Sequence, residues 1–152
     1  MRIVSVSEDK KLEKRIAITP EIAKKYIAIG FELFLSENYG EHLNFKDDEY
    51  KEIGVKIIKD EKEIINSADI IVQLGLPSDD KTSLIKENQI LIGILNPYKN
   101  KEKIESLAKR KINTFSLELL PRITRAQSMD ILSSQANLAG YKAVIESFAN
   151  FE

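Results

Sequence analysis

The sequence predicts an α/β fold built on a doubly wound, mostly parallel β-sheet. Short apolar runs rich in β-branched residues alternate with amphipathic stretches of helical period. Several of these runs are continuous, as in residues 70–72 and 90–92, which is typical of strands buried on both faces of a parallel sheet. Strand–helix alternation at this spacing implies right-handed βαβ units, so we expect a Rossmann-like or flavodoxin-like sheet of five or six strands.

Six segments predict strands: residues 2–6, 31–35, 55–58, 69–73, 90–95 and 113–117. The first helix follows Thr19, a good N-cap, and begins at Pro20, which loses no hydrogen bond at that position. Gly30 is expected to end it. Further helices are predicted over residues 47–53, 61–67, 81–87 and 101–109.

A final, long helix is predicted over residues 134–152. Leu138, Tyr141, Ile145 and Phe148 form an apolar stripe along it. One interpretation is a connector to a further segment, and the other is a terminal helix packed on the sheet. We therefore predict an N-terminal α/β domain over residues 1–133, followed by the start of a connecting helix over residues 134–152.

Composition narrows the possible functions. The 152 residues include 23 Lys and Arg and 24 Asp and Glu, so the chain lacks the basic excess of a nucleic-acid-binding protein. With no cysteine and one histidine, His42, disulfides, thiolate catalysis and multi-histidine metal clusters are excluded. No stretch approaches the roughly 18 apolar residues of a membrane span. We expect a cytoplasmic protein.

The glycines are informative because the six of them are widely spaced and no Gly-x-Gly pair occurs. Neither the dinucleotide fingerprint nor a P-loop can be formed from this chain. We therefore expect a glycine-rich NAD domain to be absent from it. The usual pyrophosphate contacts of a dinucleotide would then come from elsewhere.

The densest group of polar side chains lies between residues 121 and 140, after the last predicted strand. Ligands of open α/β sheets bind beyond the carboxyl ends of strands, and the polar groups here can hydrogen-bond a ribose or a carboxamide. The alternative is an ordinary polar loop held by an Arg122–Asp130 ion pair. In that case Ser133 or Ser134 caps the last helix.

A second candidate site is the Lys14-Arg15 pair, which precedes the first helix. It either receives an anion at the helix N-terminus or lies on the surface beside Glu13. His42 lies in a turn-like stretch and is interpreted as an exposed loop histidine.

Two runs resemble a known family. Residues 119–144, LLPRITRAQSMDILSSQANLAGYKAV, closely resemble the mobile nucleotide loop and connecting helix of the alpha subunit of proton-translocating NAD(P) transhydrogenases. Residues 14–20, KRIAITP, resemble the start that this subunit shares with alanine dehydrogenases. The resemblance covers nearly the whole chain, and the loop run is its most specific part.

The resemblance implies that the chain is the N-terminal part of the alpha subunit, peripheral to the inner membrane. It implies NAD(H) binding for hydride transfer to NADP(+) on a partner component, coupled to proton translocation by a separate membrane part. The remaining alpha segment and the beta subunit are the implied partners. No catalytic residue is implied, because the nucleotides carry the hydride and the protein orients them. The implied cofactor contacts are Arg122, Ile123, Thr124, Gln127, Ser128, Asp130 and Ser133.

Two alternatives remain. Alanine dehydrogenases need a lysine and a histidine at positions that match Gly75 and Asn96, which disfavours oxidative deamination. Gln73 also stands where the family usually has lysine. The other alternative is a non-enzymatic remnant or interaction module that pairs with another subunit, or forms a homodimer, through the apolar stripe. Without the glycine-rich domain, we expect the chain alone to be inactive and to bind NAD(H) weakly.

Overall fold

The computed structural model describes residues 1–151 and confirms the predicted α/β class. The strands are β1 (Arg2–Ser5), β2 (Glu32–Ser36), β3 (Lys56–Ile58), β4 (Ile70–Gly75), β5 (Ile90–Ile94) and β6 (Asn113–Ser116). They form one sheet in the order β3-β2-β1-β4-β5-β6. Every neighbouring pair is parallel. All six predicted strands are present, and their ends differ from the prediction by at most two residues.

The helices are α1 (Pro20–Ala28), α2 (Asp47–Glu52), α3 (Glu61–Ser67), α4 (Asp79–Leu84), α5 (Lys101–Lys109) and α6 (Ile131–Ala149). At the start of α1 the Thr19 hydroxyl accepts a hydrogen bond from the Ile22 N–H (3.4 Å), as its N-cap position predicts. Gly30, with φ of +91°, follows the end of this helix in the left-handed region that favours glycine.

The bounds of two elements, β1 and α4, differ from the prediction for reasons that the packing explains. β1 ends at Ser5 rather than Val6 because the backbone of Val6 is paired with the side-chain amide of Gln73 instead of a neighbouring strand. α4 begins at Asp79, where two aspartates in the first turn suit the positive end of a helix. It ends at Leu84 so that Ile85, in extended conformation, can enter the core with 2% of its surface exposed.

Helices cover the sheet on both sides, but not evenly. Side chains of α1 and α2, such as Ala23 and Tyr50, pack on one face of β1, β2 and β3. Side chains of α3, α4 and α5, such as Ile64 and Leu107, pack on the opposite face, which extends across β5 through Leu91. The two apolar clusters make the central strands the most protected part of the molecule.

The last helix begins at Ile131, three residues before the predicted start, because Asp130 is its N-cap. From Leu132 to the end of α6 every residue is exposed, so the interpretation of a helix packed on the sheet is wrong. The predicted helix included residue 152, which lies outside the described residues. The division into a domain and a connecting helix stays a prediction.

Candidate functional site

The sheet order creates a crevice between the carboxyl ends of β1 and β4. From these two central strands the chain winds outward in opposite directions, and the loops that follow them separate. A cavity of about 450 Å³ opens at this point, and Glu8, Gln73, Gly75 and Lys81 are among its lining residues. In open α/β sheets this is the ordinary position of a ligand.

Gln73 joins the two strands beneath the crevice. Its Oε1 accepts hydrogen bonds from the Val6 N–H (2.9 Å) and the Ser5 hydroxyl (3.0 Å), and its Nε2 donates to the Val6 carbonyl (3.1 Å). Ser5 Oγ is then left to accept from the Tyr39 phenol (2.8 Å), which accepts in turn from the Ala17 N–H (3.0 Å). Burial raises the pKa of Tyr39 to about 12, so the phenol stays neutral. The network is internally satisfied and serves to hold β1 against β4.

The half-buried carboxylate of Glu8 lies in the crevice itself. Its Oε1 accepts a hydrogen bond from the Leu74 N–H at 2.6 Å. Burial raises the pKa of Glu8, although backbone hydrogen bonds and the nearby ammonium of Lys81 oppose that shift. Lys81 itself pairs with Glu61 (3.0 Å) and donates to the Ser7 carbonyl (2.7 Å). The donors at the end of β4 are thus taken by the chain's own carboxylate, which makes the crevice unsuited to a phosphate.

The segment after β6 forms a polar loop, defined here as residues 120–130. Its middle is a 3-10 helix, Thr124–Met129, whose Ala126 is 7% exposed and anchors the loop. A shallow cleft of about 290 Å³ lies between this loop and the start of α6, and six of the seven predicted cofactor contacts line it: Arg122, Ile123, Thr124, Gln127, Asp130 and Ser133. Ser128 does not line the cleft.

Asp130 is the most firmly held of these side chains. Its Oδ1 accepts hydrogen bonds from the backbone N–H groups of Leu132 and Ser133, both at 3.0 Å, and its Oδ2 accepts from the Ser133 hydroxyl at 2.7 Å. These hydrogen bonds, above all that from the Ser133 hydroxyl, lower the pKa of Asp130. The prediction that Ser133 or Ser134 caps the helix was wrong: Ser133 orients the capping carboxylate, and the Ser134 hydroxyl donates to the Ile131 carbonyl.

The guanidinium of Arg122 remains available to a ligand. Within residues 1–151 this guanidinium forms no hydrogen bond and no ion pair within 4.0 Å. The Arg122–Asp130 ion pair of the polar-loop alternative is therefore not formed. The positive charge still contributes a little to the lowered pKa of Asp130. A donor and an ionised acceptor therefore face one cleft without neutralising each other, an arrangement that suits a ligand with both kinds of group.

The second sequence candidate is occupied by intrachain contacts. Arg15 forms a paired contact with Glu13 (2.9 and 2.6 Å), as the surface interpretation predicts. Its remaining Nη1 donates to Oε1 of Gln135 in α6 at 2.7 Å, which links the loop after β1 to the start of the last helix. His42 is exposed, as predicted, and its Nε2 lies 2.7 Å from the Lys14 carbonyl. The Lys14-Arg15 pair is thus a structural bridge rather than a free anion site.

Sequence reasoning missed Glu8 and assigned no structural contact to Gln73 or Gln135, although it noted Gln73 as a departure from the family and Gln135 lies in the polar segment 121–140. Gln73 had a visible signal, because it is a polar residue inside the apolar run of residues 70–74. The contacts of Glu8 and Gln135 had no such signal, since both join segments far apart in the chain.

The cleft's donor set fits one end of a dinucleotide. Arg122, Gln127, Asp130 and Ser133 offer the donors and acceptors that a carboxamide and a ribose require. The chain does not fit a pyrophosphate, because the crevice is acidic at Glu8 and no Gly-x-Gly turn exists. In the same described part of the chain there is no group of three potential metal-ligating side chains, and no helix combines the length and apolar character needed to span a membrane.

Known proteins are similar to this chain over nearly its whole length. The family model described as alanine dehydrogenase/PNT, N-terminal domain, matches residues 5–139. A protein of Rickettsia prowazekii, named as the first part of NAD(P) transhydrogenase subunit alpha, is 45% identical over 151 residues, which cover 97% of this chain and 39% of that protein. The protein of the same name from Rhodospirillum rubrum is 39% identical over 99% of this chain and 41% of its own length. The chain therefore spans about two fifths of these relatives.

Solved structures of related proteins have the same fold as this chain. A transhydrogenase from Sinorhizobium meliloti superimposes with a TM-score of 0.89 at 38% identity, over 99% of this chain and 45% of that one. An L-alanine dehydrogenase superimposes with a TM-score of 0.73 at 22% identity over 78% of this chain and 32% of the other, which shows a shared fold. The chain belongs to the alanine dehydrogenase/PNT N-terminal domain family, and nearly its full length is similar to part of transhydrogenase alpha subunits.

Proposed function

We propose that the chain is the N-terminal part of an NAD(P) transhydrogenase alpha subunit. In the complete assembly it contributes to binding NAD(H) for hydride transfer to NADP(+), coupled to proton translocation. The observation that supports this most is the cleft of the polar loop, where Arg122, Gln127, Asp130 and Ser133 converge beyond the carboxyl ends of the strands. None of these groups is needed to hold the sheet together, so their chemistry is free for a ligand.

Each residue of the cleft has a separate task in this proposal. Arg122 donates hydrogen bonds from its unpaired guanidinium, and Gln127 extends an amide toward the nucleotide of the partner component. Asp130, held ionised by its hydrogen bonds to Ser133, accepts from the ligand. Ile123 and Thr124 supply backbone contacts. The bound nicotinamide itself provides the hydride chemistry, and the chain orients it and limits its rotation.

Ser128 is the remaining proposed contact, and its place outside the cleft makes it the weakest of the seven. We propose that Ser128 contacts the nucleotide only after the polar loop shifts on binding. Such a shift is allowed because the loop's 3-10 helix is attached to the core mainly through Ala126. Loops of this kind commonly reorder when a ligand binds.

The proposal includes partners that complete the site. A glycine-rich domain from the remaining alpha segment binds the pyrophosphate and adenosine, and the beta subunit presents NADP(H). The assembly lies at the inner membrane, and this chain is peripheral to it on the cytoplasmic side. Alone, the chain is inactive and binds NAD(H) weakly, because a free loop contacts only one end of the dinucleotide.

A second candidate function is a non-enzymatic interaction module. It is favoured by the exposure of α6 along its whole described length. The two functions differ in what the polar loop is for, since an interaction module has no need for Arg122 or Asp130 in the cleft.

The test is hydride transfer from NADH to a thio-analogue of NADP(+), measured in membranes that contain this chain with the remaining alpha segment and the beta subunit. Arg122→Ala is expected to slow hydride transfer by about 10- to 100-fold, because it removes one hydrogen bond between a charged group and the ligand. Asp130→Asn should have a similar effect while an amide oxygen still caps α6. Arg125→Ala is the matched control, because Arg125 is an exposed arginine of the same loop outside the cleft. Equal turnover in the Arg122→Ala and Arg125→Ala proteins contradicts the proposal.

A further inference from the structure

Arg15 lies on a loop that is attached to the rest of the domain on either side of it. In the β1–α1 loop (residues 6–19), the Glu8 carboxylate accepts a hydrogen bond from the Leu74 N–H of β4 at 2.6 Å. Beyond Arg15, the Ala17 N–H donates to a buried tyrosine hydroxyl at 3.0 Å. The backbone of Arg15 is therefore held in place from both directions along the chain.

The guanidinium of Arg15 is held in one orientation by Glu13. Oε1 of Glu13 accepts hydrogen bonds from the backbone N–H and the Nε–H of Arg15, both at 2.9 Å, and Oε2 accepts from Nη2 at 2.6 Å. The side-chain hydrogen bonds lower the pKa of Glu13 and raise the pKa of Arg15, so both groups are charged at neutral pH. Because a guanidinium is planar, fixing two of its nitrogens also fixes the direction in which Nη1 donates.

The donor so directed reaches the start of the last helix. Nη1 of Arg15 donates to Oε1 of Gln135 at 2.7 Å, across 120 residues of chain. Among residues 1–151 this is the one hydrogen bond that joins α6 to a segment other than the polar loop. Gln135 follows Ile131 by one helical turn, and Ile131 is the half-buried residue of α6. The contact is therefore on the side of the helix that faces the domain.

The same turns of α6 form one wall of the cleft. Asp130 caps the helix, and both Asp130 and Ser133 line the cleft. Ser133 lies about 200° around the helix from Gln135, and thus on its other side. The cleft is lined by residues other than Arg15 and Gln135. Arg15 can therefore affect the cleft through the direction of α6, and not by touching what the cleft binds.

We propose that Arg15 is a positioning residue of the cleft: through Gln135 it fixes the first turns of α6, so that Asp130 and Ser133 meet the ligand in a single arrangement. The inference rests on the proposed function of the cleft and deepens it. It gives the bridge between Arg15 and the helix a task that the sheet itself does not require.

The physical reason is preorganisation. Without the bridge, the first turns of α6 are attached through Ile131 and through the polar loop, which reaches the core mainly through Ala126. The wall of the cleft then adopts more than one arrangement, and the ligand has to order it on binding. That ordering lowers affinity while leaving the contacts of the bound state in place.

Steady-state hydride transfer in the complete assembly is the first test. Arg15→Ala and Gln135→Ala are each expected to raise the KM for NADH by about 3- to 10-fold, the range of one net hydrogen bond. The kcat should stay within about twofold, because the bridge acts equally on the bound nucleotide and on the transition state. Lys11→Ala and Asn137→Ala are the matched controls, an exposed cation of the same loop and an exposed amide of the same helix. A fall in kcat without a rise in KM for Arg15→Ala overturns the proposal.

A double-mutant cycle shows whether the two residues act as one unit. The protein with both Arg15→Ala and Gln135→Ala should have the same KM as either single variant, since each change already breaks the bridge. Losses that multiply mean that Arg15 acts separately from Gln135, and they overturn the proposal. Gln135→Glu keeps an oxygen acceptor for the guanidinium and is expected to restore a near-native KM, but only where Arg15 is retained.

Amide hydrogen exchange of the chain without nucleotide tests the bridge independently of what the cleft binds. Arg15→Ala and Gln135→Ala should each speed exchange at residues 135–138 by about 3- to 10-fold, whereas Lys11→Ala should not. Circular dichroism shows that each variant is folded. Unchanged exchange in a folded Arg15→Ala chain overturns the proposal.

The two proposals fail in different ways. If Arg122→Ala slows hydride transfer while Arg15→Ala leaves the KM for NADH unchanged, the cleft binds the nucleotide and the positioning role of Arg15 is wrong. If Arg122→Ala also leaves transfer unchanged, the proposed function is wrong, and the positioning of a nucleotide by Arg15 is overturned with it.

Discussion

The sheet and the C-terminal segment of this chain contrast in how far their side chains are used by the fold. Between β1 and β6 most apolar residues belong to one of two clusters, and buried polar groups such as Gln73 are paired. In residues 117–151 only Ala126 is buried. The residues of the first region are explained by packing within the chain, whereas those of the second are not. The side chains of the second region are therefore available for contacts beyond those that the described residues make.

The largest expected effect comes from removing matched leucines in the two regions. Leu91 is fully buried in β5, and Leu91→Ala should lower the free energy of unfolding by about 2–5 kcal/mol, because a cavity remains. Leu138 is 61% exposed, and Leu138→Ala should change the same quantity by less than about 0.5 kcal/mol. Urea unfolding of the two variants measures both changes. Similar losses for the two variants would remove the contrast between the regions.

The next effect concerns the buried hydrogen-bond network of the first region. Tyr39→Phe removes the acceptor of the Ala17 and Ile18 N–H groups and should cost about 1–3 kcal/mol, the penalty of leaving buried donors unpaired. Tyr98→Phe serves as the control, because Tyr98 is 88% exposed. Thermal unfolding of the two variants distinguishes them, and an unchanged midpoint for Tyr39→Phe would argue against the network.

A smaller and local effect is expected at the cap of α6. Asp130→Ala should weaken the first turn of the helix, because it removes the acceptor of two backbone N–H groups. It should not alter global unfolding, because α6 is not packed on the sheet. Amide hydrogen exchange at residues 132–136 measures this. Asp130→Ser, which keeps an oxygen acceptor, is the control.

The pH dependence of this cap has a defined sign. The pKa of Asp130 is lowered in the folded state, so the stabilisation from its carboxylate is present at neutral pH and is lost as the pH falls through the lowered pKa. Loss of exchange protection beginning at neutral pH would contradict this assignment.

The smallest expected effect is the pH response of Glu8. Burial raises the pKa of Glu8 above 4.5. The stabilisation from its protonated carboxyl is therefore fully present below pH 4.5, and it is lost as the pH rises through the raised pKa. Glu8→Gln should remove this decrease between mildly acidic and neutral pH in urea unfolding. Glu63→Gln, at an exposed position of α3, is the control, and it should keep the native pH profile.

Local sequence patterns predicted most of the helices and strands, because capping and side-chain periodicity depend on residues close together in the chain. The helices Glu61–Ser67 and Lys101–Lys109 were predicted with their observed bounds, since caps and amphipathic spacing lie within each segment. The six cofactor contacts that line the cleft came from the resemblance, and the structure brings them together without testing what they bind.

Errors occurred where distant segments meet. The end of β1 depends on Gln73, which is 67 residues away along the chain from Val6. The cap of α6 was assigned to serines because their type favours caps, and the choice of Asp130 depended on the turn that leads into the helix. The contacts of Glu8 and Gln135 also join segments far apart in the chain.

The chain's own residue pattern was sufficient to specify a parallel α/β sheet, the order of its elements and the absence of a phosphate-binding glycine loop. These properties follow from period, capping and residue type, which are local. The convergence of the polar side chains on one cleft and the position of the Glu8 carboxylate in the central crevice depended on the packed structure. They arise from contacts between segments far apart in the chain, and no short stretch of sequence encodes such contacts.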